Sequence, residues 1–181
     1  MNIVNFILYQ AAWFVTIFSA AYGEPTIGVL FTMLWMLFHL SFVVIKTKNE
    51  LMLIGAAIII GCLFESGLVL SGFISYPELT ALVTPAPIWM IALWVNLAAT
   101  INYSMSWMKG RYFTTAILGA IAGPLAYLAG ERFGAIILHD MSSVVAVSLM
   151  WLVSMPLLIW SSHLITHNKT LGMQLISNEA D

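Results

Sequence analysis

Glu65 is the residue best placed for chemistry, because it is an ionisable side chain inside a long apolar stretch. It lies about three residues past the middle of residues 51–73. An acid in such a position costs roughly 2.5–3.5 kcal/mol on membrane-insertion scales, and such residues mark functional sites by default. We therefore predict a catalytic role for Glu65 as a general acid or base, or a proton or cation site. The alternative is a hydrogen-bonded carboxyl that only ties helices together.

His39 is the second catalytic candidate, within the apolar residues 27–45. It can serve as a proton shuttle or as a partner of Glu65. The two depths differ by roughly 12 Å at a rise of about 1.5 Å per residue, so a direct contact requires a shifted helix or bridging waters. The alternative is a single histidine satisfied within the core.

Polar side chains are most frequent in residues 88–108. Asn96, Thr100 and Tyr103 follow the spacing i, i+4, i+7 and share one helical stripe, and Asn102 lies on an adjacent one. Such groups hydrogen-bond between helices or bind a polar head group. We assign these four residues, with Tyr127 of the next stretch, to substrate binding. Hydrogen bonding between helices alone is the alternative.

Transmembrane helices must position these residues. Of 181 residues, 61% are hydrophobic and 8% charged, whereas a soluble domain carries about 25% charged residues. This composition excludes soluble and disordered chains, and without a basic patch we expect no nucleic-acid partner. Stretches of about 20 apolar residues can cross a bilayer. Six such stretches predict an all-α integral membrane protein of six helices in one bundle. The stretches are residues 3–22, 27–45, 51–73, 88–108, 113–130 and 143–165. They predict a transmembrane domain at 1–166, followed by a polar tail at 167–181.

The distribution of basic residues predicts the orientation. With six spans, one side of the membrane holds both termini and five basic residues, and the other side holds only Arg132. Because basic loops stay inside, both termini are predicted to be cytoplasmic, in a multi-pass protein of the bacterial inner membrane. The five basic residues are Lys46, Lys48, Lys109, Arg111 and Lys169.

The fifth span carries the clearest packing signals. Gly119 and Gly123 form a small-xxx-small pattern, which allows close helix contact and predicts a possible homo-oligomer through this face. Pro124 lacks a backbone N–H, so it should kink the helix and free a carbonyl near Ala120.

Three local patterns, together with the acid at position 65, make the chain resemble a known family. They are Pro87-Ile88-Trp89 with Leu93-Trp94, the run Ala99-Thr100-Ile101-Asn102-Tyr103-Ser104-Met105-Ser106-Trp107, and Gly123-Pro124-Leu125-Ala126-Tyr127 with Gly130. Over about residues 5–160 the chain is similar to an uncharacterised bacterial family of small inner-membrane proteins, a domain-of-unknown-function family. Relatives commonly have Asp at position 65 and His at position 103, so a histidine mechanism does not carry over to Tyr103. The resemblance implies no established activity. The family's genes often lie beside genes for cyclopropane fatty acid formation, which implies a role connected with lipid.

Three functions therefore stay open. The first is a membrane-embedded enzyme or binding protein for a lipid-like substrate, with membrane lipid as its partner. The others are a small proton- or cation-coupled carrier and a non-catalytic accessory or assembly subunit. His139-Asp140 has no spaced third ligand, so no metal site is predicted, and the cofactor is left unassigned.

Overall fold

The computed structural model describes residues 2–77 and 85–178, with side chains through residue 166. Within these residues the chain forms six α-helices and one short ribbon of two antiparallel strands. The helices are α1 (Asn2–Ala21), α2 (Pro25–Phe38), α3 (Thr47–Leu70), α4 (Ile88–Ile101), α5 (Tyr112–Phe133) and α6 (Met141–Asn178). A π-helical turn (His39–Val43) continues α2, a 3₁₀ turn (Ser106–Met108) precedes α5, and the strands are β1 (Ile74–Ser75) and β2 (Ile137–Leu138).

Five of the described helices are long and apolar enough to cross a membrane. They are Asn2–Ala21, Pro25–Val43, Thr47–Leu70, Tyr112–Phe133 and Met141–Thr166. The fourth predicted span is shorter than expected, since α4 has 14 residues. At about 1.5 Å per residue it is roughly 21 Å long, against about 30 Å of hydrocarbon.

The end of α4 is decided by a local turn. The sequence predicts one helix over residues 88–108, but the amide of Met105 bonds back to the carbonyl of Thr100 (2.8 Å), and the chain then enters the 3₁₀ turn. Asn and Ser compete with the backbone for hydrogen bonds and so favour caps and turns. Asn102 is the C-cap of α4, and Ser104 follows it.

Successive helices run in opposite directions, and the contacts at their ends show it. Strand β1 follows α3 and pairs with β2, which follows α5, with Ile74 opposite Leu138. The ends of α3 and α5 therefore share one end of the bundle, the ribbon end. At the other end, Glu50 in the first turn of α3 accepts a hydrogen bond from Asn102 after α4. We call this the Glu50 end.

Helix α4 lies at the centre of the bundle, with nine of its residues buried. Two asparagines tie it to α1. Asn5 Nδ2 donates to the carbonyl of Ala99 (3.0 Å), and Asn96 Nδ2 donates to the carbonyl of Tyr9 (3.0 Å). Because lipid offers no competing water, such bonds help to hold helices together where apolar contact alone gives little drive.

Helices α5 and α6 pack closely through the small residues of α5. A Cβ on Gly119 would lie 2.6 Å from the carbonyl oxygen of Trp151, and one on Gly123 would overlap the Trp151 ring. The face predicted for a homo-oligomer is thus covered by α6 of the same chain, and the oligomeric state stays a prediction. The carbonyl that Pro124 frees is also satisfied by α6, since Ser148 Oγ donates to the Ala120 oxygen (2.8 Å).

The backbone of α6 remains helical to Asn178. It therefore extends into residues 167–178 of the predicted polar tail. The last three residues of that tail lie outside the described part of the chain.

Candidate functional site

The Glu65 side chain is fully buried and accepts three hydrogen bonds. Trp94 Nε1 donates to Oε1 (2.9 Å), Tyr127 Oη donates to the same oxygen, and Tyr76 Oη donates to Oε2 (3.0 Å). We call these four residues the Glu65 cluster. An indole N–H can only donate, so Trp94 requires an acceptor at Oε1. Glu65 thus joins three separate segments at one point.

The cluster lies nearer the ribbon end than the sequence suggests. Helix α3 ends at Leu70, five residues after Glu65, so the carboxyl is about 7–8 Å from the end of the helix. Tyr76 reaches it from just beyond β1. Burial first, and then the neighbouring Glu65 carboxylate, raise the pKa of Tyr76 well above its ordinary value. The phenol therefore keeps its proton and acts as a donor.

Close packing fixes the orientation of Trp94. A Cβ on Gly61 would lie 2.6 Å from the Trp94 ring, so glycine is needed for α3 and α4 to approach this closely. On its other face, Trp94 stacks on Trp151 with ring centroids 4.8 Å apart and planes 3° apart. The indole is held between two helices and directs its N–H at Glu65.

A cavity of about 350 Å³ lies beside this cluster, between α1, α4, α5 and α6. Its wall is mostly apolar. Trp94 and Tyr127 of the Glu65 cluster contribute to the wall, whereas Glu65 does not line it. The small residues of α5 leave room for it, and a stripe of larger side chains on α1 faces them. The α5 residues are Gly119, Ala122, Gly123 and Ala126, and the α1 residues are Phe6, Tyr9, Trp13 and Ile17.

The cavity is closed at the ribbon end and open at the Glu50 end. Ile17 and Ile136, which line it near the ribbon, are 1% and 3% exposed. At the Glu50 end, Phe6, Trp107 and Leu118 line it and are 44%, 51% and 38% exposed. These three residues, on α1, the 3₁₀ turn and α5, form the mouth.

A second polar cluster lies at the Glu50 end. Glu50 is 2% exposed; His39 Nε2 lies 3.2 Å from its Oε1, and Asn102 Nδ2 donates to its Oε2 (2.7 Å). Asn102 Oδ1 in turn accepts from Lys109 Nζ (2.5 Å) and Ser162 Oγ (2.8 Å). We call these five residues the Glu50 cluster. Burial lowers the pKa of Lys109, and the nearby Glu50 opposes this shift.

The two predicted catalytic residues therefore belong to different clusters. His39 pairs with Glu50 and not with Glu65, in keeping with the difference in depth between His39 and Glu65. The physical reason is depth: Glu50 and Glu65 are 15 residues apart on α3, or about 22 Å. His39 is at the end of α2 that faces Glu50.

The predicted substrate-binding residues are also divided. Asn96 and Thr100 are fully buried and bond to the backbone, Thr100 Oγ1 to the carbonyl of Leu97 (2.6 Å). Tyr103 lies beyond the end of α4, so the predicted stripe is broken, and its ring packs edge-on against His39 with centroids 4.9 Å apart. Asn102 belongs to the Glu50 cluster. Of the five, Tyr127 lines the cavity.

Sequence reasoning missed Glu50, Tyr76 and Trp94 as members of these clusters. Glu50 follows a polar run and directly precedes the predicted span at residues 51–73. Its position in the first turn of a helix, where the dipole favours an acid, is the signal that distinguishes it. Tyr76 and Trp94 carry no comparable signal, because aromatic residues are common throughout the chain.

These features define the class of protein. The chain is an all-α, multi-pass membrane protein, and its described residues include five helices able to cross a membrane, packed around a short buried one. It belongs to the family described as "Protein of unknown function (DUF2878)", whose sequence model matches residues 2–157. The resemblance to an uncharacterised family is thereby confirmed. No curated protein and no solved structure matches the chain.

Proposed function

We propose that the protein binds a lipid-like molecule in the cavity between α1 and α5. The observation that carries this proposal is the cavity itself. Its volume of about 350 Å³ is near the lower end of the range of ligand pockets, roughly 300–1,000 Å³. A mostly apolar wall suits an aliphatic chain. The small residues of α5 keep the space open.

The position of the mouth supports a ligand that comes from the bilayer. Its rim includes the exposed apolar side chains Phe6 and Leu118, which lie on two helices apolar enough to cross a membrane. A molecule already dissolved in hydrocarbon can enter such an opening without crossing a polar barrier. A carrier needs a polar path to both sides of the membrane, which the apolar, closed ribbon end of this cavity does not favour.

In this proposal Glu65 is a positioning residue. It is fully buried and behind the cavity wall, and its three hydrogen bonds are to side chains of the protein. Its role is to hold Tyr127 and Trp94 in the wall, where they contact the inner end of the ligand. We assign His39, Asn96, Thr100, Asn102 and Tyr103 to contacts between segments of the bundle.

The proposal includes six membrane crossings and cytoplasmic termini in the inner membrane. Helix α4 counts as the fourth crossing, because it connects the ribbon end to the Glu50 end although it is short. Its backbone is buried in protein, where a short helix and turns are tolerated at membrane depth. Four described basic residues lie at the Glu50 end, so this end faces the cytoplasm. They are Lys46, Lys48, Lys109 and Arg111.

Native mass spectrometry of the purified protein tests lipid binding. The variant Ala122→Phe is designed to place a ring in the cavity, because Ala122 lines it and has a small side chain. Ile121→Phe is the matched control, since Ile121 is 56% exposed on the same helix and does not line the cavity. We expect wild type and Ile121→Phe to retain one phospholipid from mild detergent. Ala122→Phe should retain at least tenfold less.

The proposal requires that filling the cavity, and not merely adding a phenylalanine to α5, lowers lipid retention. If Ala122→Phe retains as much lipid as Ile121→Phe while both melt at the wild-type temperature, the proposal is wrong. The non-catalytic accessory subunit then becomes the better interpretation, with both polar clusters serving only to hold helices together.

A further inference from the structure

We infer that the ligand is an anionic phospholipid, with its headgroup beside Arg111 at the mouth and one acyl chain in the cavity. This inference rests on the proposed function and adds the chemical class of the ligand and the orientation in which it binds. It follows from the position of the mouth, from the charges around it, and from the start of α5.

The chain that forms the mouth leads directly to Arg111. After Trp107, which is 51% exposed on the rim, Gly110 turns the chain with φ +78°. Arg111 is the N-cap residue of α5. It precedes Leu118, also on the rim, by seven residues. Two helical turns separate them, so Arg111 lies about 10 Å nearer the membrane surface than Leu118.

The rim also has the composition of a membrane–water interface. Trp and Tyr are enriched at the level of lipid headgroups, and long basic side chains near helix ends reach the same level. Trp107 and Arg111 are a residue pair of this type, one on each side of the turn at Gly110. A phospholipid whose chain enters at Leu118 therefore has its headgroup at the height of Arg111.

The charges at this end favour an anion. Lys46, Lys48 and Arg111 are exposed there. Glu50 is the one acid at this end among the described residues; it is 2% exposed and is bonded to His39 and Asn102, so it leaves these cations unneutralised. The ribbon end has the opposite balance among its described residues, with three acids and one base: Glu24, Glu131, Asp140 and Arg132.

The start of α5 adds a second attraction. The helix has no side-chain cap and no acid in its first turn, and its first backbone bond is from Thr115 to the carbonyl of Arg111. The preceding N–H groups and the positive end of the helix dipole therefore lie at the same end of α5 as the exposed Arg111. A phosphate oxygen is the group that satisfies both.

A comparison of two lipids tests the inference. Phosphatidylglycerol and phosphatidylcholine with identical acyl chains are added in equal amounts to the purified full chain, and bound lipid is measured by native mass spectrometry. We expect wild type to prefer phosphatidylglycerol. Arg111→Gln should lower this preference about fivefold, the effect of one basic residue near a lipid surface. Arg132→Gln, at the other end of the same helix, is the matched control and should leave the preference unchanged.

Each outcome separates the inference from the proposed function. If Ala122→Phe lowers the binding of both lipids but wild type binds them equally, lipid binding stands and the inference about the headgroup is wrong. It is also wrong if Arg111→Gln and Arg132→Gln lower the preference equally, because the effect is then one of overall charge. If Ala122→Phe changes neither lipid, the proposed function itself fails.

Discussion

Replacing Glu65 distinguishes a positioning carboxyl from a reactive one. Glu65→Ala removes the acceptor of three buried donors, Tyr76, Trp94 and Tyr127. Hydrogen bonds measured inside membrane proteins average about 0.6 kcal/mol and reach about 1.7 kcal/mol. Losing three of them should therefore lower the free energy of unfolding by about 2–5 kcal/mol.

Glu65→Gln should behave differently, because an amide can reproduce the same geometry. Its oxygen accepts from Trp94 and Tyr127, and its NH₂ group donates to Tyr76, whose hydroxyl turns to accept. All three contacts persist, so the free energy of unfolding should stay within about 1 kcal/mol of wild type. Lipid retention should follow the same order, with Gln close to wild type and Ala reduced.

Unfolding in mixed micelles with increasing SDS, followed by tryptophan fluorescence, measures these differences. Glu24→Ala is the control, since Glu24 is exposed at the ribbon end and its change should stay within about 0.5 kcal/mol. If Glu65→Gln is as destabilising as Glu65→Ala, the charge itself matters and the acid–base role predicted from the sequence regains support. If Glu65→Ala is neutral, the cluster does not hold the cavity wall.

Two further predictions concern packing and pH. Gly61→Ala should lower the melting temperature, because its Cβ would lie 2.6 Å from the Trp94 ring. Gly55→Ala is the control, since a Cβ there would meet open space. It should keep or raise the melting temperature, because alanine favours a helix over glycine by up to about 1 kcal/mol. Equal shifts in the two variants would contradict the close contact. Several hydrogen bonds to Asp140, the largest effect coming from the Ser142 hydroxyl, hold the pKa of Asp140 below its ordinary value. A lowered pKa stabilises the start of α6 above the unfolded pKa of about 3.9, and this stability is lost as the pH falls through the folded pKa. At low pH, amide hydrogen exchange in the first turn of α6 should therefore be faster in wild type relative to Asp140→Asn than it is at neutral pH. If the ratio of the two exchange rates does not change with pH, Asp140 does not stabilise the start of α6.

Hydropathy predicts which segments are helical spans, but not where a short one ends. Five spans appear within a few residues of their predicted positions, because about 20 apolar residues in a row leave few alternatives. The free carbonyl expected from Pro124 is at Ala120, where Ser148 satisfies it. The fourth span differs because apolar residues continue past Asn102 in the sequence, while the helix already ends there and the backbone turns.

The site is less predictable than the fold, since it depends on the relative rotation and shift of helices. Periodicity identifies Glu65 as a buried acid, but its partners come from positions 11, 29 and 62 residues away. The periodicity of one helix does not show which face of a neighbouring helix it contacts. The same limit explains His39, whose partner Glu50 lies 11 residues away at the start of the next helix.

Helix α3 connects the two clusters and, through them, both ends of the cavity. Near the ribbon end, Glu65 holds the wall residues Trp94 and Tyr127. At the other end, Asn102 bonds to Glu50 of α3 and accepts from Lys109. The segment between Asn102 and Lys109, which carries the rim residue Trp107, is thus closed on itself and held to α3 through Asn102. Neither carboxyl lines the cavity. Acids inside a membrane helix are commonly interpreted as reactive groups, but the hydrogen bonds of Glu65 and Glu50 account for both of them as links between segments of the bundle.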